Sequence, residues 1–224
     1  MRILSICSNE LFIKIKNSLS KCIHTHLPLN FEGIDFSINS DYDAMIFSSR
    51  NSVKFSYKLI SEELLNKANL FAVGDETAKL IPREVIVPEN KFGLEPILEK
   101  ISGADYKKVL YLCGLHSSYL KNENKYKFIF HPVACYRIKS ISSIGDELAI
   151  IKVPELIILS CEYSLMVTKK FKFSTEALKK VKVIIMNKNL ENKAIEFGFK
   201  NIYATKNNKS SELIELVKEK FYVN

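Results

Sequence analysis

Short apolar runs recur along this chain, and most are followed by a segment whose apolar residues fall at helical spacing. The runs Arg2–Cys7, Ile23–Phe31, Ala44–Ser48, Leu70–Val73, Val85–Val87, Val109–Cys113, Lys127–Ile138, Glu155–Leu159, Val181–Met186 and Asn201–Ala204 read as strands. Between them, Asn51–Leu65, Glu76–Leu80, Gly93–Ile101, Ser164–Phe171, Leu190–Phe197 and Ser210–Phe221 read as helices. The last has Leu213, Ile214, Leu216, Val217 and Phe221 on one stripe. Strand–helix alternation of this kind predicts an α/β architecture, with parallel sheets covered on both faces by helices.

Ten strands are many for one sheet in 224 residues, so two sheets are expected. The two halves echo each other. Asp43-Ala-Met-Ile-Phe-Ser-Ser49 and Glu155-Leu-Ile-Ile-Leu-Ser160 both end an apolar strand on serine before a helix. Leu70–Gly74 followed by Glu76–Leu80 is echoed by Val183–Asn187 followed by Asn192–Ile195. Ile23–Phe31 and Lys127–Ile138 are long for compact crossovers and are expected to run from one domain to the other. No Gly/Ser- or Pro-rich linker separates the halves.

Composition narrows the function. With 47% hydrophobic and 26% charged residues the chain has the balance of a globular protein. No run of about 18 apolar residues spans a membrane. Met1–Cys7 reads as a buried strand and not a signal peptide, so a cytoplasmic protein is expected. Five scattered cysteines, without a Cys-x-x-Cys pair, argue against a disulfide framework or a zinc site. His24 and His26 share a strand face, but no third ligand lies at a convincing spacing, so no metal is expected. The net charge of +8 favours an anionic partner. Its 33 basic residues form no block and no nucleic-acid-binding motif.

Polar residues gather at three strand ends: Ser48-Ser49-Arg50-Asn51-Ser52, Gly74-Asp75-Glu76-Thr77 and Ser160-Cys161-Glu162. Ligands of open parallel sheets bind beyond the carboxyl ends of the strands, where serine and threonine offer hydroxyls. The same residues serve equally as helix caps. Dinucleotide and P-loop glycine signatures are missing. The residues alone describe a two-domain α/β protein with anion-accepting turns.

Taken in order, these turns resemble uroporphyrinogen-III synthase. Asp43-Ala-Met-Ile-Phe-Ser-Ser-Arg-Asn-Ser-Val53 is similar to that family's strand–serine–helix element. Phe71-Ala-Val-Gly-Asp-Glu-Thr-Ala-Lys-Leu80 matches its Val-Gly-x-x-Thr-Ala element most specifically. Val87-Pro88 with Gly93–Ile101, then Val109–Gly114, Val133-Ala-Cys-Tyr-Arg137, Leu156–Ser160 and Lys182–Met186 continue the resemblance over nearly the entire chain. It implies two similar α/β domains with parallel sheets, one inserted in the other and joined by a two-stranded β ladder. The first domain would comprise residues 1–30 and 140–224, the inserted one residues 37–136.

The resemblance further implies a cofactor-free cyclising lyase of heme biosynthesis. It would bind hydroxymethylbilane, a linear tetrapyrrole carrying eight carboxylates, in a cleft between the domains. Water is lost from the terminal hydroxymethyl group, and the azafulvene formed closes through a spiro intermediate with the last ring inverted. Carried over position by position, Ser49, Thr77 and Ser160 fall on hydroxyls that hold carboxylates. Tyr136 falls on the cleft tyrosine, and Lys182 on a lysine of some members. Asn189 stands where the family's second-half turn has a small or hydroxyl residue and would offer an amide. Leu190 offers none. Ser48 competes with Ser49 through a one-residue register error, and Tyr136 is either a proton donor to the departing hydroxyl or a packing aromatic. A monomer is expected, with no nucleic acid or membrane partner. The alternative reading is a non-enzymatic two-domain binder of an anionic small molecule.

Overall fold

The structure is a computed structural model. It describes the chain except residues 89–92, 122–125, 140–151, 172, 187, 207–208 and 222–224, and except the side chains at 118, 121 and 189. In chain order its elements are β1 (Arg2–Cys7), α1 (Asn9–Ser18), β2 (Ile23–Pro28), β3 (Phe31–Gly33), β4 (Ala44–Phe47), α2 (Arg50–Ser56), α3 (Glu62–Lys67), β5 (Asn69–Ala72), α4 (Asp75–Ala78), α5 (Glu95–Ser102), β6 (Lys108–Gly114), β7 (Ile129–Ile138), β8 (Leu156–Leu159), α6 (Glu162–Thr168), α7 (Thr175–Lys180), β9 (Lys182–Ile185), α8 (Glu191–Glu196), β10 (Asn201–Ala204) and α9 (Ser210–Phe221). The chain divides into two compact units, one formed by Met1–Asn30 with Ser140–Asn224, the other by Phe31–Lys139.

The first unit holds a five-stranded sheet in the order β10-β9-β8-β1-β2, with every neighbouring pair parallel. Leu156–Leu159 at its centre are all fully buried, because helices cover both faces and no position along the strand meets water. On one face, Leu11 and Ile15 of α1 and Leu213 and Val217 of α9 pack with Ile3, Cys7, Leu156, Ile158 and Ile184. Both pairs are four residues apart, the spacing that puts side chains on one helix face. Helix α1 starts at Ser8, whose hydroxyl accepts the Leu11 N–H.

The second unit holds the order β3-β7-β6-β4-β5, parallel throughout except for β3, which pairs antiparallel with β7. Its interior strand β4 is fully buried at all four positions. The two faces carry separate cores. Met45, Phe47, Leu110, Leu112 and Cys135 pack with Val53 of α2, while Ala44, Ile46, Val109, Tyr111 and Phe130 pack with Ile97 and Ile101 of α5.

Several expectations change in detail. Ile23–Phe31 is not one strand. Pro28, which has no N–H, ends β2 in the first sheet, and β3 starts anew at Phe31 in the second. Lys127–Ile138 contributes a strand whose length lies within the second sheet, between β6 and β3. The antiparallel pairing Phe31↔Ile138, Glu32↔Arg137, Gly33↔Tyr136 stands at both places where the chain passes from one unit to the other. The single helix expected over Asn51–Leu65 is two, because Ile60 turns extended and Ser61 caps a fresh start. Val85–Val87 makes only an isolated bridge, Phe71↔Ile86. Helices α1 and α7 had no counterpart in the sequence reading.

The histidines of β2 are spent on backbone. His24 and His26 each set Nε2 against a carbonyl, of Leu19 at 2.9 Å and of Cys7 at 3.1 Å. Those ring nitrogens must therefore donate. Among the described residues no group of three or more His, Cys, Asp or Glu side chains converges. His26 also stacks on Phe12 with ring centroids 4.0 Å apart.

Burial lowers the His26 pKa below its ordinary 6.5, and the bond to the Cys7 carbonyl offsets this only partly. The folded chain therefore prefers the neutral ring. As pH falls through 6.5 the unfolded chain takes up more protons, so this contribution to stability is present above pH 6.5 and lost below it. Urea unfolding from pH 7.5 to 5 is expected to show stability falling with pH. His26→Gln, which keeps a donor toward Cys7, should flatten that slope; an unchanged slope would refute the assignment. In β1, Ser5 is fully buried and its hydroxyl has no partner among the described residues. An unsatisfied buried hydroxyl costs about 1–3 kcal/mol. Ser5→Ala should therefore raise the urea midpoint, by about 1 kcal/mol of stability, and a lower midpoint would contradict this.

Candidate functional site

In a doubly wound sheet the ligand crevice opens where the strand order reverses, beyond the carboxyl ends. In the second sheet β5 lies on one side of β4 and β6 on the other, so the reversal falls between β4 and β6. Their carboxyl ends are Phe47, followed by Ser48-Ser49, and Gly114. In the first sheet the same logic places it between β1 and β8, whose ends are Cys7 and Leu159, followed by Ser160.

At the end of β4, Ser49 is the N-cap of α2. Its hydroxyl accepts the Ser52 N–H at 3.1 Å, and the Ser52 hydroxyl lies 3.1 Å from the Ser49 N–H. This reciprocal cap fixes the Ser49 rotamer. Ser49 Oγ then lies 3.1 Å from the Tyr136 hydroxyl on β7. The Tyr136 ring rests against Phe55 of α2, stacked at 6.1 Å, and edge-on to Phe31 at 6.0 Å.

Ser48 is held differently. The hydroxyl of Tyr111, buried in β6, interacts with the Ser117 and Ser48 side chains, and burial pushes its pKa far above the usual phenol value. Tyr111 is thus a neutral hydrogen-bonding group.

Thr77 stands on the neighbouring turn after β5, at the third position of α4, with its N–H on the Gly74 carbonyl at 3.0 Å. It is only 5% exposed, so a ligand meets less of it than of the half-buried Ser49. Arg50 is exposed in the first turn of α2.

The first unit repeats part of this design. Ser160 follows β8 and its hydroxyl donates to the Ile6 carbonyl at 3.3 Å, across the reversal between β8 and β1. Cys161 and Ser164 of α6 form the counterpart of the Ser49–Ser52 cap. Ser160 is therefore the counterpart of Ser48, and Cys161 that of Ser49.

Lys182 stands at a different end of its strand. It opens β9 opposite Leu156, at the amino end of the sheet, and its ammonium lies 4.7 Å above the Phe221 ring. Ser160 follows the other end of the neighbouring strand, some 13 Å away at about 3.3 Å per residue. Asn189 lies in a short 3-10 turn, Lys188–Leu190, and its side chain is outside the described residues. Sequence reasoning placed Ser52 in the polar turn without a role of its own and singled out none of Phe55, Tyr111 and Gly114. The Ser-x-x-Ser spacing after an apolar strand was the available signal for Ser52.

Comparison with known proteins now bears on this arrangement. A family model described as Uroporphyrinogen-III synthase HemD matches residues 22–215. No curated protein matches the chain significantly. Among solved structures, uroporphyrinogen-III synthetase from Helicobacter pylori 26695 superposes with a TM-score of 0.61 at 19% identity, covering 98% of this chain and 99% of that one. Thermus thermophilus uroporphyrinogen III synthase aligns at 13% identity over 98% and 99% of the two chains, with a TM-score of 0.44. The Helicobacter likeness supports the fold, and the family model covers most of the sequence: this chain belongs to the uroporphyrinogen-III synthase family.

Proposed function

We propose that this chain cyclises hydroxymethylbilane to uroporphyrinogen III, with Tyr136 as the group that assists departure of the terminal hydroxyl and Ser49 as its partner. The observation that supports it is the 3.1 Å contact between Ser49 Oγ and Tyr136 Oη at the carboxyl-end reversal of the second sheet. Ser49 Oγ already accepts the Ser52 N–H, so its own proton is available to the tyrosine oxygen. Ser52 N–H, Ser49 Oγ and Tyr136 Oη form one connected row of hydrogen bonds, and bonds in such a row polarise one another.

The chemistry asks little more of the protein. The pyrrole nitrogens stabilise the azafulvene cation once water leaves. An unperturbed phenol near pKa 10 gives modest help as an acid and good help as a hydrogen-bond donor. The larger task is holding the tetrapyrrole so that the substituted carbon of the last ring attacks. Ser49, the turn carrying Thr77 and, in the first unit, Ser160 provide polar groups for carboxylates. Lys182 has no part in this reading.

Incubation with hydroxymethylbilane should yield the inverted isomer, whereas an anion binder without activity leaves only the non-inverted one. A hydrogen bond to a charged group contributes about 1.5–3 kcal/mol, so Tyr136→Phe and Ser49→Ala should each slow formation of uroporphyrinogen III roughly ten- to a hundredfold. The lost flux should appear as the non-inverted isomer. Lys182→Ala should leave rate and isomer ratio unchanged. Retention of the wild-type rate in folded Tyr136→Phe would refute the role given to Tyr136.

A further inference from the structure

Tyr136 has glycine on both sides in the sheet. Gly33 of β3 and Gly114 of β6 are its register partners, so the tyrosine is the one side chain in that cross-strand row. It also faces the opposite way from simple alternation. Val133 packs against, and Cys135 lies within, the core that contains Leu110 and Leu112, while Phe130 lies in the core on the opposite face. Strict alternation sends residue 136 to the Phe130 face. The register slips instead: Cys113 pairs with Ala134 and Gly114 with Tyr136, leaving Cys135 as the extra residue of a bulge. Bulges re-aim side chains, and Tyr136 packs on the same core as Val133 and Cys135.

The re-aimed ring lies on Gly114. A Cβ at residue 114 would sit 2.9 Å from Tyr136 Cζ, 3.0 Å from Cε2 and 3.1 Å from the hydroxyl oxygen. No methyl fits there unless the ring moves. The backbone gives no other reason for glycine, since the positive-φ glycines among the described residues are Gly93 and Gly198. Gly33 has a softer constraint, because a Cβ there would meet Phe55 Cδ1 at 3.3 Å, and Phe55 stacks on Tyr136.

Resting on the function given above, we propose that Gly114 is a positioning residue. Its missing side chain, together with the bulge at Cys135, sets the Tyr136 hydroxyl on Ser49 and toward the departing group. A ring laid over a glycine also covers bare sheet backbone, and that role predicts a loss of stability alone. The two are separated by a double-mutant cycle on rate.

Gly114→Ala should slow uroporphyrinogen III formation roughly tenfold and shift product toward the non-inverted isomer. In a Tyr136→Phe background the same change should cost no more than about twofold in rate, because no hydroxyl remains to be misplaced, although stability falls in both backgrounds. An equal rate loss in the two backgrounds, or a wild-type rate in Gly114→Ala, overturns the proposal. Should Gly114→Ala not fold, Gly33→Ala should give a smaller loss with the same dependence on Tyr136.

A readout independent of turnover is the Cζ resonance of ¹³C-labelled tyrosine, with Tyr136 assigned by its loss in Tyr136→Phe. In Gly114→Ala its shift and titration midpoint should move; an unchanged resonance overturns the positioning role. A wild-type protein that forms no uroporphyrinogen III would refute the functional reading, and the resonance would still decide the placement.

Discussion

Burial of interior strands on both faces is the constraint from which the rest of this molecule follows. Ala44–Phe47 and Leu156–Leu159 expose nothing along their lengths, because helices cover each sheet above and below. An ionised or unpaired polar group inside such a strand would cost several kcal/mol. The chemistry of this chain is consequently displaced to strand ends. Backbone donors and short hydroxyl side chains can meet a ligand there without disturbing a core. Ser49, Ser160 and the Gly74–Thr77 turn all occupy such positions.

The same constraint explains what the sequence made visible. Fully buried strands read as unbroken apolar runs and end on abrupt polar residues, so the strand ends that carry Ser49, Thr77 and Ser160 were legible in the sequence. The end of the strand at which Lys182 stands was legible as well. A lysine that precedes an apolar run sits at the amino end of its strand, and a parallel sheet collects ligands at the other. The break between β2 and β3 was marked by Pro28 but hidden by the apolar residues on either side. The bulge at Cys135 had no signal at all. Val133-Ala-Cys-Tyr136 reads as plain alternation, and only pairing with a strand some twenty residues earlier shows that one residue is extra.

The two halves show how far a repeated plan constrains function. Ser48, Ser49, Ser52 and Ser56 correspond in sequence and position to Ser160, Cys161, Ser164 and Thr168. Ser52 and Ser164 turn their hydroxyls back to the carbonyls of Ser49 and Cys161. Ser56 and Thr168 also bond to backbone carbonyls within their own helices. The caps serve the helices alike in both units. Divergence sits at the cap residue itself, Ser49 in one unit and Cys161 in the other.

That residue is serine in one half and cysteine in the other, and the difference has a chemical consequence. The Ser49 hydroxyl can accept an amide proton and donate its own in the same geometry, and so it relays polarity to Tyr136. A thiol is a weak donor and a weak acceptor, and burial raises the Cys161 pKa and keeps it neutral. At Cys161 the relay would stop at the cap. The position starts a helix with either residue, and as serine it also meets a second hydroxyl, that of Tyr136. The asymmetry between two similar folds thus lies in one oxygen and in the glycine and bulge that bring a tyrosine to it.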